Sequence, residues 1–169
     1  MKTTITPYRS LFMFVLYLLI AYNTHAQIAF TNFNSLITTA THSGCCVVVV
    51  DVNSDGLDDI LIMDQSKTLI LELQNRDGSF TRTSLGTIPD NARVWGMAAA
   101  DVDHNGWKDV AAGSGSCYLF MLSSSGGVVS ATTTQLAGSY FVQNITFGDF
   151  NNDGWVDLSV CDDDDYAKV

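Results

Sequence analysis

The sequence predicts an all-β fold made of repeated units of short antiparallel strands. A nine-residue segment rich in Asp and Asn begins at Asp51, Asp101 and Asp149, and so recurs at intervals of 50 and 48 residues. A period in this range is typical of repeat architectures. Short apolar runs flank each copy, and beyond the N-terminal segment no stretch has the 3.6-residue apolar period of a helix. We therefore expect one small β unit around each copy.

Residues 1–26 have the layout of a secretory signal peptide. Lys2 and Arg9 give a positively charged start, and an apolar stretch of 11 residues runs from Leu11 to Ala21. The alternative is an uncleaved anchor, although the stretch is shorter than the about 20 residues of a membrane span. We expect export, with the mature protein secreted, at the cell surface or in the periplasm, and with no membrane span after cleavage.

The charge composition limits the kinds of partner that the chain can bind. The chain has 18 acidic and 8 basic residues, and half of the acids, three per segment, stand at positions 1, 3, 5 or 9 of the three recurring segments. Nucleic acid is excluded as a partner because its binding requires a basic surface. The four cysteines are expected to be small buried residues in strands, while a single disulfide from one of the adjacent pair stays open as the alternative. These cysteines are Cys45, Cys46, Cys117 and Cys161.

The predicted organisation after the signal segment is a lead-in, residues 27–43, and a repeat region, residues 44–169. The repeat region divides into units of about 44–92, 93–140 and 141–169. The first two units predict a meander of four antiparallel strands each, and the third unit predicts two strands. The predicted strands are 45–50, 60–63, 69–74 and 80–84, then 94–100, 110–112, 117–122 and 128–134, then 143–148 and 158–161.

Apolar residues alternate in the same register around each acidic segment. They stand four and two residues before its first Asp and again at its tenth position. Such a period of two places one face of each sheet in a core. The residues four and two before the segment are Val47 and Val49, Met97 and Ala99, and Ile145 and Phe147.

Each acidic segment carries oxygen-bearing side chains at its positions 1, 3, 5 and 9 and a glycine at position 6. A loop with this spacing can surround one divalent cation, because the glycine permits a sharp turn and the carbonyl at position 7 points inward. Three carboxylates and one amide per loop suit Ca²⁺ better than a soft metal. We predict one Ca²⁺ in each of the three loops. The predicted ligands, with position 7 acting through its carbonyl, are Asp51, Asn53, Asp55, Leu57 and Asp59; Asp101, Asp103, Asn105, Trp107 and Asp109; and Asp149, Asn151, Asp153, Trp155 and Asp157.

The twelfth position separates these loops from EF-hands. An EF-hand carries a bidentate Glu there, whereas these segments carry Ile62, Ala112 and Val160. The loops are therefore expected to join strands and, with one fewer carboxylate contact, to bind Ca²⁺ weakly, with dissociation constants of about 10⁻⁴–10⁻³ M. A set of metal-free Asx turns is the alternative.

These loops resemble those of the FG-GAP / VCBS repeat family, the blades of integrin-α-like β-propellers. The resemblance rests on the Asp-x-Asn/Asp-x-Asp/Asn-Gly-x-x-Asp pattern, on Phe147-Gly148 before the third loop, and on the turn at residues 74–80. It implies a partial β-propeller with two complete four-stranded blades and half of a third. Because closure needs about four blades, we expect the chain to be a fragment of a longer exported protein.

The resemblance implies two functions. The leading expectation is a non-enzymatic, calcium-dependent adhesion or ligand-binding scaffold for an extracellular protein or glycan. The alternative is part of a secreted, calcium-dependent polysaccharide-degrading enzyme built on the same propeller. No catalytic residue is predicted, because His25, His42 and His104 are isolated. His104 is expected to point outward from its loop.

Overall fold

A computed structural model describes residues 31–37, 39–136 and 141–163. The chain divides into two units, Met1–Phe33 and Asn34–Val169, and only residues 31–33 of the first are described. The predicted signal segment, residues 1–26, lies outside the described residues. No helix in the described parts of the chain is long and apolar enough to cross a membrane.

The described residues of the second unit form ten strands in three antiparallel sheets. The two larger sheets follow the chain order β1-β2-β3-β4 and β5-β6-β7-β8, and β9 pairs with β10 in the third. A short 3-10 helix, Asn34–Leu36, precedes them. The strands are β1 Ser43–Val50, β2 Asp59–Asp64, β3 Thr68–Gln74, β4 Phe80–Thr87, β5 Gly96–Ala100, β6 Asp109–Gly113, β7 Cys117–Ser125, β8 Val128–Leu136, β9 Val142–Gly148 and β10 Asp157–Asp162.

The predicted fold class, two four-stranded antiparallel blades and half of a third, is confirmed. Several strands are longer than predicted, among them β4 and β8, which run three and two residues further. Their last residues pair with the start of β3 and of β7, so the backbone ladder continues where the apolar pattern has faded. The predicted turn after β3 is present, with Gly78 at φ 84°. The predicted domain boundaries stay a prediction.

The three sheets stack face to face in chain order. Strand β1 contacts β5, and β5 contacts β9, while β4 contacts β8 on the other side of the stack. The first strands of successive sheets are thus neighbours, and so are the last strands of the two larger sheets, as in successive propeller blades. One apolar cluster fills the space between the first and second sheets, around Leu61, Leu71 and Phe120. A second cluster, around Ala111 and Ile145, fills the space between the second and third.

The register of the strands decides which neighbour each face meets. We call the face that carries the residues four and two before the loop the near face. In the second sheet this face, with Met97 and Ala99, packs on the first sheet. In the third sheet the equivalent Ile145 and Phe147 pack on the second sheet. Each near face therefore covers the opposite, far face of the preceding sheet.

The prediction that the same register buries Val47 and Val49 is wrong. Their side chains are 51 % and 61 % exposed, because among the described residues no sheet precedes the first one. Part of this near face is covered by the lead-in, which lines a cavity against Ile62. Arg82 Nη1 donates to Thr41 Oγ1 at 2.9 Å and also pairs with the buried Glu72.

Two glycines allow the second and third sheets to approach closely. A Cβ on Gly96 would lie 2.9 Å from the Cα of Asn144, and one on Gly113 would lie 2.3 Å from Cγ1 of Val142. Real Cβ atoms do not approach other heavy atoms so closely. Glycine is therefore required at both positions for sterics, without any need for positive φ.

The prediction that the cysteines are buried in strands is confirmed for two of them. Cys46 and Cys117 are buried, and Cys161 is exposed. Cys46 Sγ donates to the carbonyl of Val94 at 3.2 Å. Burial raises the pKa of the Cys117 thiol to about 11. The side chain of Cys45 lies outside the described residues.

Candidate metal sites

The three acidic loops occupy equivalent places at one end of the sheets. Each loop leaves the first strand of its sheet and ends at the first residue of the second strand, so that position 9 already belongs to β2, β6 or β10. Asp59, Asp109 and Asp157 are these first residues. The sequence prediction that the loops join strands is confirmed, and position 12 lies in a strand in each case.

Position 1 holds the turn at position 6. Its Oδ2 accepts the N–H of the glycine at 2.9 Å from Gly56 to Asp51, 3.0 Å from Gly106 to Asp101 and 2.9 Å from Gly154 to Asp149. The three glycines have φ of 87°, 89° and 89°, a region that other residues enter only at a cost. The sequence thus closes each loop by the same carboxylate-to-glycine bond.

Position 9 anchors the loop to the sheet. Asp109 is fully buried, and its Oδ2 accepts the N–H of Val102 at 2.9 Å while its Oδ1 accepts the N–H of Leu122 at 2.8 Å. Asp59 is also fully buried and makes the equivalent bonds to Val52 and Gln74. One carboxylate therefore joins the start of the loop to the third strand.

Burial makes the ionised form of these two carboxylates costly. Desolvation raises the pKa of Asp59 above its ordinary value against the two backbone N–H donors, and the charges of Asp55 and Asp51 add to the rise. Desolvation likewise raises the pKa of Asp109, with added effects from Asp103 and Asp101. A divalent cation beside such a group would favour its ionised form.

Positions 3 and 5 form an amide–carboxylate pair in every loop. Asn53 Nδ2 donates to Asp55 Oδ2 at 3.0 Å, and the third loop repeats this bond from Asn151 to Asp153 at 2.9 Å. The second loop reverses the direction, because Asn105 Nδ2 donates to Asp103 Oδ2 at 3.1 Å. One neutral partner between two acids limits the repulsion and helps to keep each loop folded.

The second loop brings three carboxylates together. One oxygen each from Asp101, Asp103 and Asp109 lies within 4.8 Å of the others. Asp101 Oδ1 is buried without a hydrogen-bond partner, although a buried unpaired oxygen costs about 1–3 kcal/mol. An acidic cluster with one buried, unpaired oxygen fits a hard cation such as Ca²⁺, which the loop would hold through these three residues.

The first and third loops differ from the second in this respect. Within the described residues, their three acids do not form such a cluster. In both loops Oδ1 of position 1 accepts the N–H of position 5, from Asp55 to Asp51 at 3.0 Å and from Asp153 to Asp149 at 3.1 Å. The position-1 oxygen that is unpaired in the second loop is thus occupied here. The ligand roles of the individual residues, including the carbonyls of position 7, stay predictions.

Contacts between neighbouring loops were not predicted from the sequence. The ring of His104 stacks on that of Trp155, with centroids 4.5 Å apart and planes 4° apart. Ser54 Oγ donates to the carbonyl of Gly106 at 3.0 Å. His104 is exposed, as expected, but it is not isolated. The only sequence signal for these contacts is that Ser54 and His104 share position 4 of their loops.

Comparison with known proteins agrees with this geometry. Residues 51–112 match the model of the FG-GAP-like repeat family. This segment begins at the first loop and ends in β6 after the second, and it supports the resemblance noted from the loops. No curated protein matches the chain significantly.

Proposed function

We propose that this chain, which carries an FG-GAP-like repeat, binds one Ca²⁺ in each acidic loop and acts as an exported, non-enzymatic scaffold for adhesion or ligand binding. The FG-GAP-like repeat and the antiparallel four-stranded sheets support the proposal of a β-propeller-type scaffold. The observation that supports the cation most directly is the carboxylate cluster of the second loop with the unpaired Asp101 Oδ1. The predicted signal segment supports export.

The cation would contribute charge neutralisation at the point where each loop meets its sheet. Asp101, Asp103 and Asp109 come from both ends of one loop, so a bound ion would tie these ends together. Binding to the folded state alone, at ten times the dissociation constant, would stabilise the protein by about 1.4 kcal/mol per site. The scaffold would then be rigid in calcium-rich surroundings and less stable after chelation.

We expect Asp101→Asn to weaken calcium binding in the second loop at least about tenfold, equivalent to about 1.4 kcal/mol. The variant keeps the shape of the side chain but removes the charge of the half-buried carboxylate, whose Oδ1 is buried. Calorimetric titration of the chelator-treated protein with CaCl₂ measures the effect. Asp58→Asn is the matched control, since Asp58 is exposed and lies outside the predicted ligand positions.

Two results would overturn the calcium proposal. One is the absence of a saturable calcium heat in the folded wild-type protein. The other is an equal loss of affinity in the Asp58→Asn control, because the effect would then be one of net charge and not of a site.

The scaffold proposal is tested by binding and turnover on the same ligands. We expect calcium-dependent binding to an extracellular protein or to members of a glycan array, and no release of products from polysaccharides, with or without chelator. Product release that requires Ca²⁺ would favour the polysaccharide-degrading alternative instead. N-terminal sequencing of the secreted protein would test export, with Gln27 as the expected first residue.

A further inference from the structure

The loops of neighbouring sheets are linked by direct contacts that end on the cation sites. Between the first two loops, Ser54 Oγ donates to the carbonyl of Gly106, and the N–H of Lys108 donates to the carbonyl of Val52 at 2.8 Å. Gly106 itself donates to Asp101. The first loop therefore contacts the backbone that closes the second loop around its candidate site.

The second and third loops are linked by the aromatic stack. Trp155 is the position-7 residue of the third loop, and its N–H donates to Asp153 Oδ1 at 2.9 Å. Its side chain is 56 % exposed, and the parallel ring of His104 lies against it at 4.5 Å. The stack thus limits the movement of a residue whose backbone belongs to the predicted shell of the third site.

The linking residues share one position and one backbone conformation. Ser54 and His104 are at position 4, with φ of 62° and 59°, and Asn152 follows at 60°. With the backbone in this left-handed region, the position-4 side chain points away from its own loop. In the first two loops it contacts the next loop along the chain. The position therefore has the same role in both contacts, by a hydroxyl in one and by a ring in the other.

We propose that His104 is a positioning residue for the cation site of the third loop. Through His104, cation binding in the second loop is coupled to cation binding in the third. This inference rests on the proposed calcium binding. A cation in the second loop fixes the backbone from Asp101 to Asp109 and with it the ring of His104. The fixed ring holds Trp155, so the third loop loses less conformational freedom when it binds its own cation, which makes the coupling positive.

The test is a calcium titration of the whole ¹⁵N-labelled chain followed by NMR. The amide signals of Gly56, Gly106 and Gly154 report one loop each, because each glycine N–H is bonded to a position-1 carboxylate. We expect Asp101→Asn to weaken the binding seen at Gly154 about fivefold. Asp103→Asn, at an exposed position, is a second way to disable the same loop if the first variant is poorly folded.

Replacement of the ring identifies the route of the coupling. In His104→Ala the affinity at Gly154 should fall about fivefold, and Asp101→Asn should then have no further effect on it. His104→Phe should restore both the affinity and its dependence on the second loop, because it keeps a flat ring. A general structural role would instead weaken all three sites and would not be rescued.

The outcomes separate this inference from the proposed function. If Asp101→Asn leaves the calcium affinity reported by Gly154 unchanged while His104 is present, the coupling is overturned and the proposed calcium binding is not. The same result follows if His104→Ala leaves the dependence unchanged. The absence of calcium-dependent shifts at Gly56, Gly106 and Gly154 in the wild-type chain would overturn the proposed function itself.

Discussion

Asp109→Ala should lower the free energy of unfolding by about 1–4 kcal/mol even when no divalent cation is present. The substitution leaves the buried N–H of Leu122 and the partly buried N–H of Val102 without the acceptor that they share. Each unsatisfied buried donor costs about 1–3 kcal/mol, and removal of the desolvated carboxylate offsets part of this loss. Since small domains are stable by about 5–15 kcal/mol, this is a large part of the total. Urea denaturation in the presence of a chelator measures it.

Asp103→Ala is the matched control for this prediction. It removes a carboxylate from the same loop and the same carboxylate cluster, but the side chain is exposed and accepts its bonds from Asn105 within the same loop. We expect it to cost a small fraction of the effect of Asp109→Ala in chelator. Equal losses for both variants would mean that charge in the loop, and not the anchoring of β6 to β7, sets the stability.

Gly113→Ala should cost about 1–3 kcal/mol of stability by forcing the second and third sheets apart. The added Cβ would lie 2.3 Å from Cγ1 and 2.7 Å from Cβ of Val142, with Ile145 Cδ1 at 3.2 Å. All three atoms belong to β9, so relief requires a shift of the strand. Thermal unfolding should show the loss as a lower midpoint, and Val142→Ala should recover part of it in the double variant.

Gly148→Ala is a suitable control because the three atoms nearest to its added Cβ belong to the ring of Phe150, the first of them at 2.9 Å. That side chain is 50 % exposed and can turn away. A midpoint that falls as far in Gly148→Ala as in Gly113→Ala would show that the effect comes from lost backbone freedom or strand propensity. It would then not come from the contact between sheets.

The sequence predicts the strands and loops well because their determinants are local. Alternating apolar residues and a glycine at position 6 act within a few residues, so the ten strands and the left-handed turns at Gly56, Gly106 and Gly154 follow from them. Which face meets which neighbour is not local. Val47 and Val49 have the same sequence pattern as Met97 and Ala99. Met97 and Ala99 pack against the preceding sheet, whereas Val47 and Val49 have no preceding sheet among the described residues and are exposed.

The candidate metal sites also combine local features, which the sequence predicts, with long-range contacts, which it does not. The residue types at positions 1, 3, 5, 6 and 9 predict the loop, and the structure brings Asp101, Asp103 and Asp109 together. The anchoring role of position 9 depends on the N–H of Leu122, which is 13 residues away. The stack of His104 on Trp155 spans two repeat units. Both contacts require the packed arrangement of sheets, which residue spacing alone does not specify.

The repeated packing of a near face on a far face makes the contact between sheets heterologous, and such contacts lead to rings if they close and to filaments if they do not. The exposed near face of the first sheet is apolar, with Val47 and Val49. The opposite end of the described stack presents exposed Asn144 and Thr146 on β9. Asn144 Oδ1 accepts the N–H of Ile145 within β9, but a second copy joining head to tail would bury the amide NH₂ of Asn144 and the hydroxyl of Thr146 against valines that offer them no hydrogen-bond partner, which is unfavourable. We therefore expect this polar end to oppose polymerisation of the described part of the chain through its own repeat contact.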